Sequence, residues 1–137
     1  MPEITIDNVM QRIQALKTFS TIDPEFYAKE NGAAHIIAKD VREKMKVTQL
    51  RKFFGHIKQI QAKYKGKKDD DKVEKGELYL LMPELAYALG RKLISKNFYE
   101  LMKASLNSEK IPTVKDFNCF VDFLSAVLAY HKMEKGD

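Results

Sequence analysis

The sequence predicts an all-α fold, a single compact bundle-like domain of five to seven helices. Apolar residues recur at spacings of three and four positions in almost every segment, as expected for amphipathic helices. No segment shows the strict alternation of a half-buried strand with comparable quality. The 137 residues include only six glycines and four prolines, fewer turn residues than an all-β domain of this length needs.

Composition indicates one soluble globular domain spanning residues 1–137. Hydrophobic residues make up 45% of the chain and charged residues 31%, which excludes a disordered tail. The single cysteine, Cys119, excludes an internal disulfide framework. We find neither a signal-peptide pattern at the start nor an apolar run of about 18 residues that could span a bilayer. We therefore expect a cytoplasmic protein without a membrane partner.

Three helices are predicted in the first 44 residues. The first covers 7–19 and has its apolar side chains at helical spacing, namely Val9, Ile13, Leu16 and Phe19. Asp23 followed by Pro24 is typical of an N-cap and a first-turn proline, and it predicts a short helix ending near 31–32. A third helix is predicted over 33–44, with Ile36, Ile37 and Val41 facing one way.

The strongest amphipathic pattern predicts a helix over 48–65, with Thr48 as its N-cap. Its buried stripe consists of Leu50, Phe53, Phe54, Ile57, Ile60 and Tyr64, and only Gln61 interrupts its apolar character. The following segment has no apolar residue over 65–72. We expect residues 65–76 to form an exposed charged loop.

Three further helices are predicted in the C-terminal half. The segment 78–93 contains Pro83, which predicts either two helices meeting there or one kinked helix. A helix over 96–106 follows, and Thr113 with Asp116 resembles a capping box that opens a helix over 114–133. This last helix is apolar on two stripes, so we expect it to be the central core helix, a self-association surface, or both.

Basic residues are concentrated in one part of the chain. Residues 41–68 contain ten of them and one acid, Glu43, whereas the rest of the chain is net acidic. On the predicted helix over 48–65, Lys52, His56, Gln59 and Lys63 form one solvent-side line. Arg51, Gly55, Lys58 and Ala62 form the neighbouring line. This concentration favours a site for a polyanion, with contacts to phosphate and sugar rather than to bases.

Other candidate sites have less support. Arg91 and Lys92 follow Gly90, so they are either cations at a helix end or a second anion contact. The three histidines lack the spacing of metal ligands, and Cys119 lies among phenylalanines, where a buried inert thiol is the expected role. We therefore expect no metal, no cofactor and no enzymatic activity.

Three sequence elements, taken in order, resemble the small subunit of the type III-A CRISPR effector, the Csm complex. They are TQLRKFF at 48–54, LAYALGRK at 85–92 and FVDFLSAVLAYHK at 120–132. The resemblance covers about 38–132, and the first 35 or so residues, which carry no such element, are expected to be family-variable. The related type III-B small subunit is also helical and basic, but the LRKFF element favours type III-A.

The resemblance implies a non-catalytic subunit that stacks in several copies and contacts the crRNA–target RNA duplex beside other Csm subunits. Arg51 and Lys52 match the basic pair of the first element, and Arg91 and Lys92 that of the second. Helix geometry adds Lys58 and Lys63. The candidate RNA-binding residues are therefore Arg51, Lys52, Lys58, Lys63, Arg91 and Lys92.

Two other functions remain open on the sequence. A helical structural adaptor could dock its basic helix on an acidic protein surface. A helix-turn-helix DNA-binding protein could use the helices within 41–65, although few base-reading side chains stand at the start of the second helix beyond Gln49 and Arg51.

Overall fold

The computed structural model describes residues 5–135, which form seven α-helices and one 3₁₀ turn. The helices are α1 (Ile6–Ala15), α2 (Pro24–Ala28), α3 (Ala33–Val41), α4 (Val47–Ala62), α5 (Lys75–Gly90), α6 (Lys96–Ser105) and α7 (Val114–Lys135), and the 3₁₀ turn is Phe19–Thr21. Residues 5–135 contain no β-strand, only an isolated bridge between Lys72 and Thr113. The predicted all-α fold is confirmed.

The last helix, α7, lies at the centre of the fold and packs against α2, α3, α4 and the 3₁₀ turn. Phe120 and Phe123 are fully buried and contact Phe19, with ring centroids 5.3 and 5.6 Å apart. Both predicted apolar stripes of α7 therefore face the core or its edge, with Ala126, Leu128 and Tyr130 partly buried against it. The predicted role of α7 as the central core helix is confirmed.

The N-terminal residues belong to the same core. Val9 and Ile13 of α1 have no exposed surface, and α1 packs against α3 and α6. Helix α1 is shorter than predicted, because the chain leaves it after Ala15 and places Phe19 in the 3₁₀ turn. The first helix thus contributes to the hydrophobic core despite its lack of family-like elements.

The observed starts of three helices can be compared with the N-caps predicted from the sequence. Asp23 accepts a hydrogen bond from the Glu25 amide at 3.0 Å and Pro24 is the first residue of α2, as predicted. The capping box at α7 is also confirmed, since the Thr113 amide donates to Asp116 and the Asp116 amide donates to the Thr113 hydroxyl. The prediction for Thr48 is wrong: α4 begins at Val47, and Lys46 is its N-cap without a side-chain bond.

Helix α5 runs through Pro83 without a break from Lys75 to Gly90. Of the two predicted arrangements, the one with two helices is therefore wrong. Pro83 lies on the exposed side, and the opposite side buries Leu78, Leu81, Leu85 and Ala88. Lys75 and Gly76, the last residues of the predicted charged loop, form the first turn of α5. Val114 and Lys115 donate backbone hydrogen bonds to the carbonyls of Asp71 and Asp69, which hold the loop against α7.

A buried histidine should make the stability of the fold depend on pH. His131 is fully buried, its Nε2 donates to the Met45 carbonyl at 2.9 Å, and its Nδ1 has no partner within residues 5–135. Burial lowers the pKa of His131, and the bond to Met45 offsets only part of this effect. The unfolded chain therefore takes up a proton near pH 6.5 that the folded chain takes up only at lower pH.

The free energy of unfolding is therefore expected to be constant above about pH 6.5 with respect to this group and to fall below it. The limiting slope for one proton is about 1.4 kcal/mol per pH unit. Urea unfolding between pH 7.5 and 5.5 measures this pH dependence in the wild type and in His131→Gln, since glutamine keeps a donor for Met45 but does not titrate. An equal dependence of the free energy of unfolding on pH in the two proteins would contradict the expectation.

Candidate nucleic-acid interface

Helix α4 is fixed by its apolar stripe, which leaves its basic residues in solvent. Leu50, Phe53, Ile57 and Ile60 are buried, and the helix packs on α7. Arg51, Lys52 and Lys58 therefore lie on exposed sides of the helix. Lys58 lies seven positions after Arg51, which places their Cα atoms about 10 Å apart along the helix axis.

The two predicted solvent-side lines of α4 have different surroundings. The line with Arg51, Gly55, Lys58 and Ala62 is exposed at every position. The other line is bridged to α5: the Nδ1 of His56 lies 2.7 Å from a carboxylate oxygen of Glu84, and the Nζ of Lys63 lies 3.0 Å from one of Glu77.

Most of the cations in residues 41–68 have no acidic partner. Arg42 pairs with Glu43 and Glu134, and Lys63 pairs with Glu77. Within the part of the chain that the structure describes, eight basic residues of this segment form no ion pair, and we call them the basic surface: Lys44, Lys46, Arg51, Lys52, Lys58, Lys65, Lys67 and Lys68. Since no carboxylate within residues 5–135 pairs with these eight side chains, they can contact the phosphates of a polyanion without first breaking an ion pair.

The second basic pair lies at the end of α5. Arg91 is the C-cap and its guanidinium lies 5.7 Å from the centre of the Tyr87 ring. Lys92 has a φ of 62°, so the chain turns sharply there. It lines a depression of about 240 Å³ together with Lys46, Thr48 and Lys135. The fold thus brings Lys92 to the start of α4, whereas Lys63, from the same predicted set, is engaged by α5.

Sequence reasoning missed a pocket at the C-terminal end of α4. It has a volume of about 380 Å³ and is lined by residues of α4, the following loop and α7, including Lys58, Gln61, Lys65, Lys67 and Asn118. The side-chain amide of Gln61 donates to the Asn118 carbonyl oxygen at 2.8 Å. The only sequence signal was Gln61 itself, the one polar residue on the apolar stripe.

The structure bears on two kinds of chemical site, a cysteine nucleophile and a metal site. Cys119 is half-buried, and burial, together with the nearby Asp122, raises the pKa of its thiol, which disfavours the reactive thiolate. Among residues 5–135, no three His, Cys, Asp or Glu side chains lie close enough to hold a metal ion. Within the same range, no helix is long and apolar enough to cross a membrane.

The resemblance seen in the sequence is matched by a family model. The model is described as Csm2 Type III-A, and it matches residues 25–137. The chain belongs to the Csm2 family. It is therefore a small subunit of the type III-A Csm complex and associates with other subunits of that complex. Comparisons with curated proteins and with solved structures gave no significant match.

The Csm2 match includes helices α3 to α7 and α2 from its second residue on, so the whole basic surface lies within it. It begins at residue 25, before the region of about 38–132 that the resemblance was expected to cover. Of the described residues 5–24, which the match leaves out, α1, the 3₁₀ turn and Pro24 belong to helical elements. The family therefore accounts for the elements that form and surround the candidate interface.

Proposed function

We propose that this Csm2 family member is a non-catalytic, cytoplasmic subunit that binds the crRNA–target RNA duplex through its phosphates, independently of sequence. The observation that carries the proposal is the basic surface, where eight cations lie without an acidic partner in residues 5–135. Phosphate contacts supply most sequence-independent affinity for nucleic acid, and they need cations that no carboxylate neutralises.

The exposed line of α4 is the proposed contact with the phosphates. Arg51 and Lys58 are separated by Gly55, and Ala62 follows one turn later, so small side chains allow a backbone to approach the helix closely. Lys52 flanks this line, and Lys92 extends the positive surface at the start of α4. Of the six candidate residues, Arg51, Lys52, Lys58, Arg91 and Lys92 are the proposed contacts, and Lys63 contributes less because Glu77 holds it.

We also propose that copies associate through the exposed side of α5. Leu80 and Tyr87 are 74% and 67% exposed on the same helix, and neighbouring exposed apolar side chains, unlike single ones, are typical of an interaction surface. Pro83 lies between them on the same side, since positions 80, 83 and 87 share one face of a helix. A second copy is the proposed occupant because the family resemblance implies several adjacent copies.

RNA binding across a salt series tests the proposed contact. If about five phosphates are held, the slope of log K against log salt should be about −3.5 for single-stranded RNA, from about −0.7 per contact. Fluorescence anisotropy with two unrelated RNA sequences should give the same affinity. The competing adaptor function predicts instead that an acidic peptide displaces RNA at equal charge concentration, or that RNA does not bind at low salt.

A further inference from the structure

The pocket at the C-terminal end of α4 has features that binding of a phosphate backbone alone does not require. It is a depression of about 380 Å³, which lies within the usual size range of small-ligand sites. Its wall combines cations with a pair of side-chain amides, Gln61 from α4 and Asn118 from α7. A surface that only contacts phosphates needs neither a depression nor amides.

The amide pair has unused hydrogen-bonding groups that point to a specific ligand edge. One N–H of Gln61 donates to the Asn118 oxygen at 2.8 Å. In residues 5–135 neither side chain makes another hydrogen bond, so the Gln61 oxygen and the Asn118 amide hydrogens remain free. The pair therefore offers a ligand both an acceptor and donors, the two kinds of group with which a side-chain amide binds the edge of adenine.

Three lysines surround the amides. Lys58 comes from the exposed line of α4, whereas Lys65 and Lys67 flank Gly66 in the loop that follows. Gly66 has a φ of 83°, a left-handed conformation that glycine adopts without strain, and it turns the chain between the two lysines. Within residues 5–135, no acidic residue lines the pocket, so no carboxylate occupies its wall.

We propose that this pocket binds one unpaired nucleotide, with its phosphate on the lysines and its base edge on the Gln61–Asn118 pair. The proposal rests on RNA binding by the same surface, because Lys58 belongs both to the exposed line and to the pocket. A nucleotide extruded from a bound RNA and a free mononucleotide have the same chemistry here. In the first case the pocket fixes the position of an RNA that the rest of the surface holds without sequence preference.

The side-chain amide resonances of Gln61 and Asn118 in a ¹H–¹⁵N spectrum give a direct test on the wild-type chain. Titration with AMP should shift both pairs of resonances, whereas inorganic phosphate at the same concentration should move only resonances near the lysines. Equal effects of AMP and phosphate, or no shift of the two amides, would overturn the proposal.

A variant pair then links the pocket to RNA. Gln61→Leu continues the apolar stripe of α4 and removes the free acceptor, and Gln59→Leu is the matched control because Gln59 is exposed on the same helix outside the pocket. We expect Gln61→Leu to weaken binding of an RNA duplex with one bulged adenosine by about 10-fold, the loss expected for one good hydrogen-bonded pair. Binding of the same duplex without the bulge should not change.

The outcomes separate the proposals. Amide shifts with AMP, together with equal affinity for the duplexes with and without the bulged adenosine, would identify a free mononucleotide as the ligand. Failure of RNA binding as a whole, seen equally with both duplexes, would contradict the proposed function, whereas the AMP titration still decides whether the pocket takes a nucleotide. A loss in Gln59→Leu equal to that in Gln61→Leu would contradict the role of the amide pair.

Discussion

Replacing Arg51 and Lys58 by glutamate is expected to lower the affinity for RNA about 100-fold at 0.1 M salt. Each neutralised phosphate contributes about 1 kcal/mol at this salt concentration through counterion release, so removing two contacts costs about 25-fold. The glutamates add repulsion to this loss. The slope of log K against log salt should also become shallower, by about 1.4 for single-stranded RNA.

The matched control for this variant is Lys17→Glu/Lys103→Glu. It changes the net charge by the same amount, but Lys17 and Lys103 lie outside the basic surface, and neither forms an ion pair within residues 5–135. We expect its affinity to fall by less than about 5-fold, since only the long-range field changes. Anisotropy titrations of both variants, with circular dichroism to check folding, make the comparison. An equal loss in the two would show that net charge, rather than the line on α4, governs binding.

Local sequence signals predicted most helices because their causes act within a few residues. Asp23 and Thr113 lie next to the amides that they cap, and the structure has both caps. Thr48 had the same local signal, but the helix includes Val47, which is 7% exposed, so the N-cap is Lys46, two residues earlier. Burial against the rest of the fold decided between two neighbouring starts, and a sequence window does not contain that information.

The candidate interface was predicted less completely, because it too depends on how distant elements pack together. The spacing of basic residues identifies two lines on α4, but it does not show that Glu77 and Glu84 of α5 bridge one of them. These acids lie outside the basic segment, and their approach depends on how α5 packs. The Gln61–Asn118 pair joins residues 57 positions apart, so no motif in either helix could predict the pocket.

Two roles were predicted for the wide apolar surface of α7, and the fold confirms one of them. An apolar surface on more than one side of a helix is expected for a central helix, for a partner surface or for both, and the packing shows how much of it the fold itself covers. Here α3 and α4 cover much of α7, and Phe117, Phe120 and Phe123 are fully buried. Large exposed apolar side chains are instead found mainly on α5, which is why the proposed contact between copies is assigned to that helix.

Leu80→Lys is therefore expected to abolish association between copies at concentrations where the wild type associates. Burying a leucine stabilises a contact by about 2 kcal/mol, so its loss weakens each interface about 30-fold, and the buried charge of lysine adds a further cost. Leu80 is 74% exposed in the single chain, so the substitution should leave the fold and its stability nearly unchanged. Light scattering as a function of concentration measures the effect.

Met133→Lys serves as the control, because Met133 is 55% exposed and lies in the last turns of α7 rather than on α5. The mass of this variant should rise with concentration as that of the wild type does. A wild-type mass that stays monomeric up to high concentration would contradict self-association in isolation. An association that survives Leu80→Lys but not Met133→Lys would assign the contact to the end of α7 instead, next to Glu134 and the residues that bind it, His35 and Arg42.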